Sequence, residues 1–181
     1  MRTHVELPCG LVLRAWAARD GGAVLAAFAD PLTRGQSRDP VDSPAAAGRW
    51  IADRGAEWAS GAAFAFAVAD GDDTVLGQMS VGAVDRCHGT GWVSYWTVPG
   101  ARGRGVASRG AHALARWAFD DADLFRLELG HRVNNPASCA VARAAGFAVE
   151  GRERRKSAYD GVRHDVELHA RLATDPEPPP P

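Results

Sequence analysis

The run Val98-Pro-Gly-Ala-Arg-Gly-Arg-Gly-Val-Ala107 constrains this chain more than any other segment. Before it, Trp92-Val-Ser-Tyr-Trp-Thr-Val98 is short, apolar and aromatic and reads as a strand. After it, Val106 to Phe119 carries Val106, Ala113, Leu114 and Trp117 at helical spacing. Gly103 and Gly105 remove the β-carbons that would keep an anion off the backbone. The N–H groups of Gly103 to Ala107 are then free to converge, and the helix adds its positive N-terminal end. Such a turn suits an anion, and Arg102 and Arg104 would add charge-assisted bonds to phosphate oxygens. A tight connection with no ligand is the competing reading. A Walker A loop is excluded, because Gly105 is followed by Val106-Ala107 where Lys-Ser/Thr is needed. A dinucleotide fingerprint fits poorly, since Gly103-Arg-Gly105 leads to Ser108 and several strands precede the turn.

The rest of the chain supplies a setting for that turn. Leu11 to Trp16 reads as a first strand, and Asp20 as the N-cap of a short helix through Val24, Leu25 and Phe28. Asp30 to Pro44 reads as a loop, and Ser43-Pro44 places a cap and an N1 proline before a helix through Trp50, Ile51 and Trp58. Ala62 to Ala69 and Thr74 to Val84 are partner strands across Asp70-Gly-Asp-Asp73. Phe125 to Leu129 is a strand, and Pro136 to Ala145 a helix closed by Gly146. Phe147 to Ser157 and Val162 to Leu172 pair around Tyr159-Asp160-Gly161. The order β-α-α-β-β-β-α-β-α-β-β predicts one α/β domain over residues 1–173, a mixed, mostly antiparallel sheet with helices on both faces. Residues 174–181 end in Glu-Pro-Pro-Pro-Pro and are expected to be a disordered tail.

Arg102-x-x-Gly105-x-Ala107 resembles the Arg/Gln-x-x-Gly-x-Gly/Ala signature of GNAT acetyltransferases. Asn135-Pro-Ala-Ser138 looks like the family's Asn-x-x-Ser. Ala140 to Phe147 with Glu150-Gly151 resembles the Rim-type branch, the ribosomal-protein-alanine N-acetyltransferase-like enzymes. The resemblance spans Leu11 to Leu172, with its specific motifs between Tyr95 and Gly151. It implies a GNAT fold, acetyl-CoA as co-substrate, and direct transfer of acetyl to a primary amine on a protein N-terminus or a small molecule. It further implies that Thr97 and Val98 bond the pantetheine amides and that Arg102, Gly103, Arg104, Gly105, Val106 and Ala107 hold the pyrophosphate. Asn135 would reach the pantetheine, and Ser138 would sit near the thioester sulfur as an acid for the departing thiolate. From the residues alone, Asn135 is equally an N-cap ahead of Pro136, and Ser138 a first-turn hydroxyl. Another acyl-CoA such as succinyl-CoA, or a CoA-binding module without catalysis, are the alternatives.

The proton acceptor departs from the pattern. Ser157 aligns with a glutamate that some Rim-type enzymes carry, and a hydroxyl is no base at neutral pH. Glu128 is the first substitute, with His131, Tyr95 and Tyr159 as others and Asp85 and His88 in a loop facing an acceptor. Glu128 reads equally as a structural carboxylate paired with an arginine. Trp50, Trp58, Trp92 and Trp96 are core or an acceptor pocket, and Asp30 to Asp42 is a candidate wall of that pocket. A net charge of −1 gives no bulk attraction to nucleic acid or an anionic membrane. Three cysteines without CxxC spacing suggest neither a metal nor a disulfide framework, so no metal is expected. Free thiols and the absence of an apolar leader or spanning segment point to the cytoplasm. A homodimer is among the expected assemblies.

Overall fold

The computed structural model describes residues 1–35, 39–159 and 161–181. Eight strands form one sheet in the order β1-β2-β3-β4-β5-β6-β8-β7. They are β1 (His4–Glu6), β2 (Val12–Ala15), β3 (Phe64–Ala69), β4 (Val75–Asp85), β5 (Thr90–Thr97), β6 (Arg126–Arg132), β7 (Ala148–Tyr159) and β8 (Val162–Leu172). Every neighbouring pair is antiparallel except β5 and β6, which run parallel because the helix α4 (Val106–Asp120) crosses between them. The other helices are α1 (Gly21–Ala29), the single turn α2 (Pro31–Arg34), α3 (Pro44–Ser60) and α5 (Pro136–Ala144).

Strand alternation divides the core in two. Leu13, Phe64, Phe66, Met79, Val93, Leu127 and Leu129 face α4 and α5 and pack on Val106, Leu114 and Trp117. Trp96 faces the opposite side, where Val24, Ala27 and Phe28 of α1 meet Ala47 and Trp50 of α3. Helices therefore cover both faces, as expected. Trp117 anchors the larger core at 1% exposure. Its ring sits edge-on to Phe64 and Phe66 at 5.2 and 4.9 Å. Gly110 lets α4 lie close on β4: a β-carbon there would stand 2.8 Å from Met79 Cε.

The caps follow the sequence in three places and depart from it in one. Ser43 Oγ accepts from Ala46 N at 3.2 Å. Gly146 takes φ 82° after α5. Asn135 caps that helix at its other end. Asp20, expected to cap α1, instead turns back to Arg14, whose two terminal nitrogens donate to it at 2.8 and 2.9 Å, and to Ala17 N at 2.8 Å. A nearby guanidinium is a stronger donor than a first-turn N–H, and it takes the carboxylate.

Two segments expected to be irregular carry structure. Asp30 accepts from Thr33 N at 3.2 Å and starts α2, within the stretch expected to be a loop. Positions 36–38 of that expected acceptor wall, and turn residue Asp160, lie outside the described residues. β1 pairs with β2 through His4↔Arg14 to Glu6↔Val12 and adds an edge strand too short to show a period. Residues 174–181 were expected to stand apart from the domain, but Glu177 reaches back onto it. Arg171, 2% exposed, donates to Glu177 Oε2 at 2.6 Å, and His112 Nε2 lies 2.9 Å from Glu177 Oε1. A buried guanidinium needs a counter-charge, and a carboxylate in the proline-rich tail supplies it.

Candidate active site

The parallel pairing of β5 with β6 covers three residue pairs, Thr90↔Arg126, Gly91↔Leu127 and Trp92↔Glu128. Beyond them each strand follows a different neighbour. β5 continues beside β4 to Gly77↔Thr97, and β6 continues beside β8 to Arg132↔Val166. Residues 93–97 thus leave one backbone edge of β5 facing a gap, unmatched by β6 among the described residues. Paired edges satisfy their own N–H and C=O groups, so an open edge inside a sheet invites an extended ligand with amides of its own.

The glycine turn lies at the end of that edge. Gly103 and Gly105 have φ of 72° and 73°, the left-handed region that favours glycine. The first bond into α4 runs from Arg109 N to Gly105 O at 3.0 Å, so the N–H groups of Val106, Ala107 and Ser108 have no partner within the helix. Gly105 occupies the N-cap without a capping side chain. Arg109, not singled out from the sequence, folds its guanidinium over Gly105 and donates to Arg104 O at 2.5 Å. Its spacing of four from Gly105 was the readable signal. Arg104 reaches Gly100 O at 3.5 Å and stays exposed. Arg102 is engaged by Asp30 at 2.6 Å, across 72 residues, and holds that carboxyl below the usual carboxylate range. It therefore ties α2 to the turn.

Across the gap stands the first turn of α5. Asn135 Oδ1 accepts from Ser138 N at 3.2 Å, and Asn135 Nδ2 donates to Ser138 Oγ at 3.0 Å. The first bond fixes which way the amide faces. Ser138 Oγ, already an acceptor, keeps its own proton for another partner. Tyr95, from the open part of β5, donates to Ser138 O at 3.4 Å. Burial pushes the Tyr95 phenol up, so it holds its proton through the neutral range. The two hydroxyl-bearing residues that sequence separates by 43 positions meet here.

Of the groups considered for proton abstraction, Tyr95 stands at the gap, while Glu128, His131, Tyr159 and Asp85 are engaged elsewhere. Glu128 accepts from Arg126 Nε at 2.7 Å and is 41% exposed; Arg126 also grips Glu150. This is the arginine-paired carboxylate, although at the surface and not in the core. His131 is 8% exposed and lies 2.9 Å from His169, under α5. Tyr159 is covered by Arg132 at 4.3 Å. Asp85 accepts from the N–H groups of Cys87 and His88 at 2.8 and 3.1 Å and shapes its own turn. Ser157 stands opposite His164, beyond an irregular stretch of β7.

On the α1–α3 face of the same strand β5 lies a cleft of about 220 Å³ lined by Trp50, Arg54, Glu57, Gln78, Ser94 and Trp96. Gln78 Oε1, Trp96 Nε1 and Arg54 Nε are enclosed there without a hydrogen-bond partner among the described residues. Trp50 and Trp96 belong at once to the smaller core and to this cleft, while Trp58 packs on the larger core, edge-on to Phe64 and Phe66.

A mixed sheet whose parallel pair opens beside a glycine turn defines the class of protein. Residues 10–148 match the acetyltransferase (GNAT) domain family, and the chain belongs to that family. The ribosomal-protein-serine acetyltransferase of Escherichia coli (strain K12) is 29% identical over 101 residues, 56% of this chain and 56% of that protein. The chain thus spans little more than half the length of this curated relative. The ribosomal-protein-S5-alanine acetyltransferase of Vibrio fischeri superposes with a TM-score of 0.84 at 20% identity, over 96% of this chain and 98% of that one. The microcin C7 self-immunity acetyltransferase MccE, solved with acetyl-CoA and AMP, gives 0.84 at 17% identity, over 95% and 97%. The GNAT expectation from the motifs is borne out, as is the mixed, mostly antiparallel fold. No helix among the described residues is long and apolar enough to cross a membrane.

Proposed function

We propose that this chain transfers acetyl from acetyl-CoA to the α-amine of a protein N-terminus, by direct attack and without a covalent enzyme intermediate. The observation that carries it is the open edge of β5 leading straight into the turn at Gly103 and Gly105. In this reading Thr97 holds the pantetheine amides through its backbone, whereas Val98, expected to join it, turns its N–H to Leu76 O at 3.0 Å and its carbonyl to Ala101 N at 2.9 Å. The N–H groups of Gly103, Gly105, Val106 and Ala107 hold the pyrophosphate, with Arg104 and Arg109 at its flank. The residues fit such a ligand: a β-carbon at Gly103 would meet nothing within 4 Å, so the approach is open. Asn135 orients Ser138 beside the gap. The acetyl donor supplies an activated thioester.

Proton accounting favours an α-amine as acceptor. The attacking nitrogen must be neutral, and none of Glu128, His131 and Ser157 is free to take its proton at the gap. An α-amine with a pKa of ~7.7–8.0 is already about a tenth neutral at pH 7, whereas a lysine-type amine near ~10.4 is below roughly one part in a thousand. The amine forms its C–N bond at the acetyl carbon and gives up a proton to water, the C–S bond breaks, and Tyr95 supplies a proton to the departing sulfur and regains one from solvent. The cleft at Trp96 receives the residues that follow the reacting amine. The name of the Escherichia coli relative, a ribosomal-protein-serine acetyltransferase, agrees with a protein acceptor, and the three free cysteines are compatible with a cytoplasmic setting.

Thiol release from acetyl-CoA tests the reading. Peptides with a free N-terminus should react, and the same peptides with a blocked N-terminus should not. Release with polyamines alone would overturn the acceptor, and no release with any amine would leave a CoA-binding module. Succinyl-CoA in the same assay separates the acyl groups.

A further inference from the structure

Four ligating side chains converge beneath α5, away from the gap. His131 comes from β6, Glu167 and His169 from β8, and Cys139 from the first turn of α5. Strand register explains the meeting. His131 stands opposite Glu167 in the β6–β8 pair, and His169 lies two residues further along β8, on the same face. The four donor atoms lie within 4.8 Å of one another. His131 Nε2 is 2.9 Å from His169 Nε2, and Glu167 Oε1 is 3.0 Å from His169 Nε2 and 3.5 Å from His131 Nε2. Cys139 Sγ is 3.5 Å from the same carboxylate oxygen.

The outer ring nitrogens decide what this cluster needs. His131 Nδ1 is 3.0 Å from Arg132 O, and His169 Nδ1 is 3.4 Å from Phe147 O. A carbonyl oxygen can only accept, so each ring carries its proton on Nδ1. Both Nε2 atoms then turn lone pairs toward each other and toward a carboxylate oxygen. Three acceptors cannot satisfy one another, and the thiol proton of Cys139 can serve one of them. A cation shared by all four resolves the conflict. A backbone carbonyl on the outer nitrogen is also how ligating histidines are held in the correct tautomer.

We propose that His131, Cys139, Glu167 and His169 form a structural zinc site. Two imidazoles, a thiolate and a carboxylate are a tetrahedral donor set for this ion. Bonds of ~2.0–2.3 Å place tetrahedral donors roughly 3.3–3.8 Å apart, so the four close pairs need shifts of tenths of an ångström and the widest separation, within 4.8 Å, needs Cys139 to move in by up to about 1 Å. On binding, the Cys139 thiol gives its proton to solvent and the sulfur bonds the metal. Thiolate and carboxylate then cancel the charge of the divalent ion, which suits a site whose histidines are 8% and 1% exposed. With four protein ligands the shell is closed to substrate. The ion would fasten the first turn of α5, next to Ser138, to β6 and β8.

The test uses the untagged full chain stripped with chelator, then titrated with zinc against a chromophoric competitor and with cobalt followed by absorption. One zinc per chain should bind, with a dissociation constant of ~1 µM or tighter and a rise in melting temperature. Cobalt should give the visible bands of a tetrahedral ion and a near-ultraviolet thiolate charge-transfer band. Cys139→Ser, close in shape, should lose that band and bind zinc at least ~10-fold more weakly. Folded wild-type protein that takes up no zinc at about 0.1 mM would overturn the site and leave protons as the shared cations. A charge-transfer band that persists in Cys139→Ser would overturn the ligand set. The readout is metal binding, so it stands apart from the transferase reading.

Discussion

Gly105→Asp isolates the anion turn from the rest of the fold. Gly105 sits at φ 73° and ψ 4° as the N-cap of α4. A non-glycine residue in that region costs ~1–2 kcal/mol, and aspartate is among those that bear it best. The new β-carbon would lie 2.8 Å from Arg109 Nη1, the far end of a flexible side chain that can move aside. The carboxylate then lies beside a guanidinium and near the free N–H groups of the α4 N-terminus, and both contacts offset part of the strain. A net loss of about 1 kcal/mol, or roughly 2–4 °C in melting temperature for a chain of this size, is expected. Acetyl-CoA affinity behaves differently. The same carboxylate takes the N–H groups proposed for the pyrophosphate, repels it, and occupies Arg109. Affinity should fall at least tenfold, about 1.4 kcal/mol, by calorimetric titration. Gly105→Ala separates strain from charge: it should cost at least as much stability and much less affinity. A folded Gly105→Asp protein with wild-type affinity would refute the placement of the phosphate site.

Tyr95→Phe should lower kcat by ~10²-fold with little change in acetyl-CoA affinity, and Ser138→Ala by less than about tenfold, because a phenol is the stronger acid of the two. The reverse order in steady-state kinetics would transfer the proton role to Ser138. Glu177→Gln leaves the Arg171 guanidinium, 2% exposed, without its carboxylate. Breaking a fully buried pair costs ~3–5 kcal/mol, and solvent at the half-exposed Glu177 reduces this to about 1–2 kcal/mol, several degrees in a melting curve. An unchanged curve would show that the tail contact carries no stability. Burial lowers the pKa of His112 despite the opposing pull of Glu177. The folded protein therefore prefers the neutral ring, so this contribution is full above the unfolded value of ~6.5 and is lost as the pH falls below it. His112→Gln should flatten the decline in stability between about pH 7 and pH 5, and an unaltered decline would remove His112 as its source.

Local chemistry was legible in the sequence, and contacts set by register were not. Gly103, Gly105 and the Asn135-Pro136 cap announce themselves within a few residues, because turn geometry and capping are properties of the nearest neighbours. The role of Glu128 was narrowed only when Arg126, two residues away on the same strand face, was seen to hold it. His131 read as a candidate base because nothing near it in the chain reveals that β8 brings Glu167 and His169 against it. The Glu167-x-His169 spacing on a strand was the available signal, since residues two apart share a face. Arg102 looked like a phosphate ligand by proximity to the glycines, yet its partner Asp30 belongs to a segment that read as loop. The proline-rich tail misled for a related reason: composition reports what a segment can bury, and Glu177 acts through charge.

The helix α5 is where these separate features meet. Nine residues are too few for a helix to hold itself in water, so its place must be imposed from outside. On one side of its first turn Tyr95 bonds the carbonyl of Ser138, and Asn135 fixes the Ser138 hydroxyl. On the other side Cys139 reaches the cluster of His131, Glu167 and His169. The glycine turn belongs to a different element, α4, and leans on β4 through Gly110 and Met79. On the proposed reading Tyr95 and the donor's edge share β5, whereas Ser138 rides on α5, which packs against α4. A change beneath α5 should displace Ser138 relative to Tyr95 more than it disturbs the turn proposed for the pyrophosphate, which Arg109 and the Gly110–Met79 contact also hold. On this geometry its effect belongs in kcat, while affinity for acetyl-CoA reports on α4.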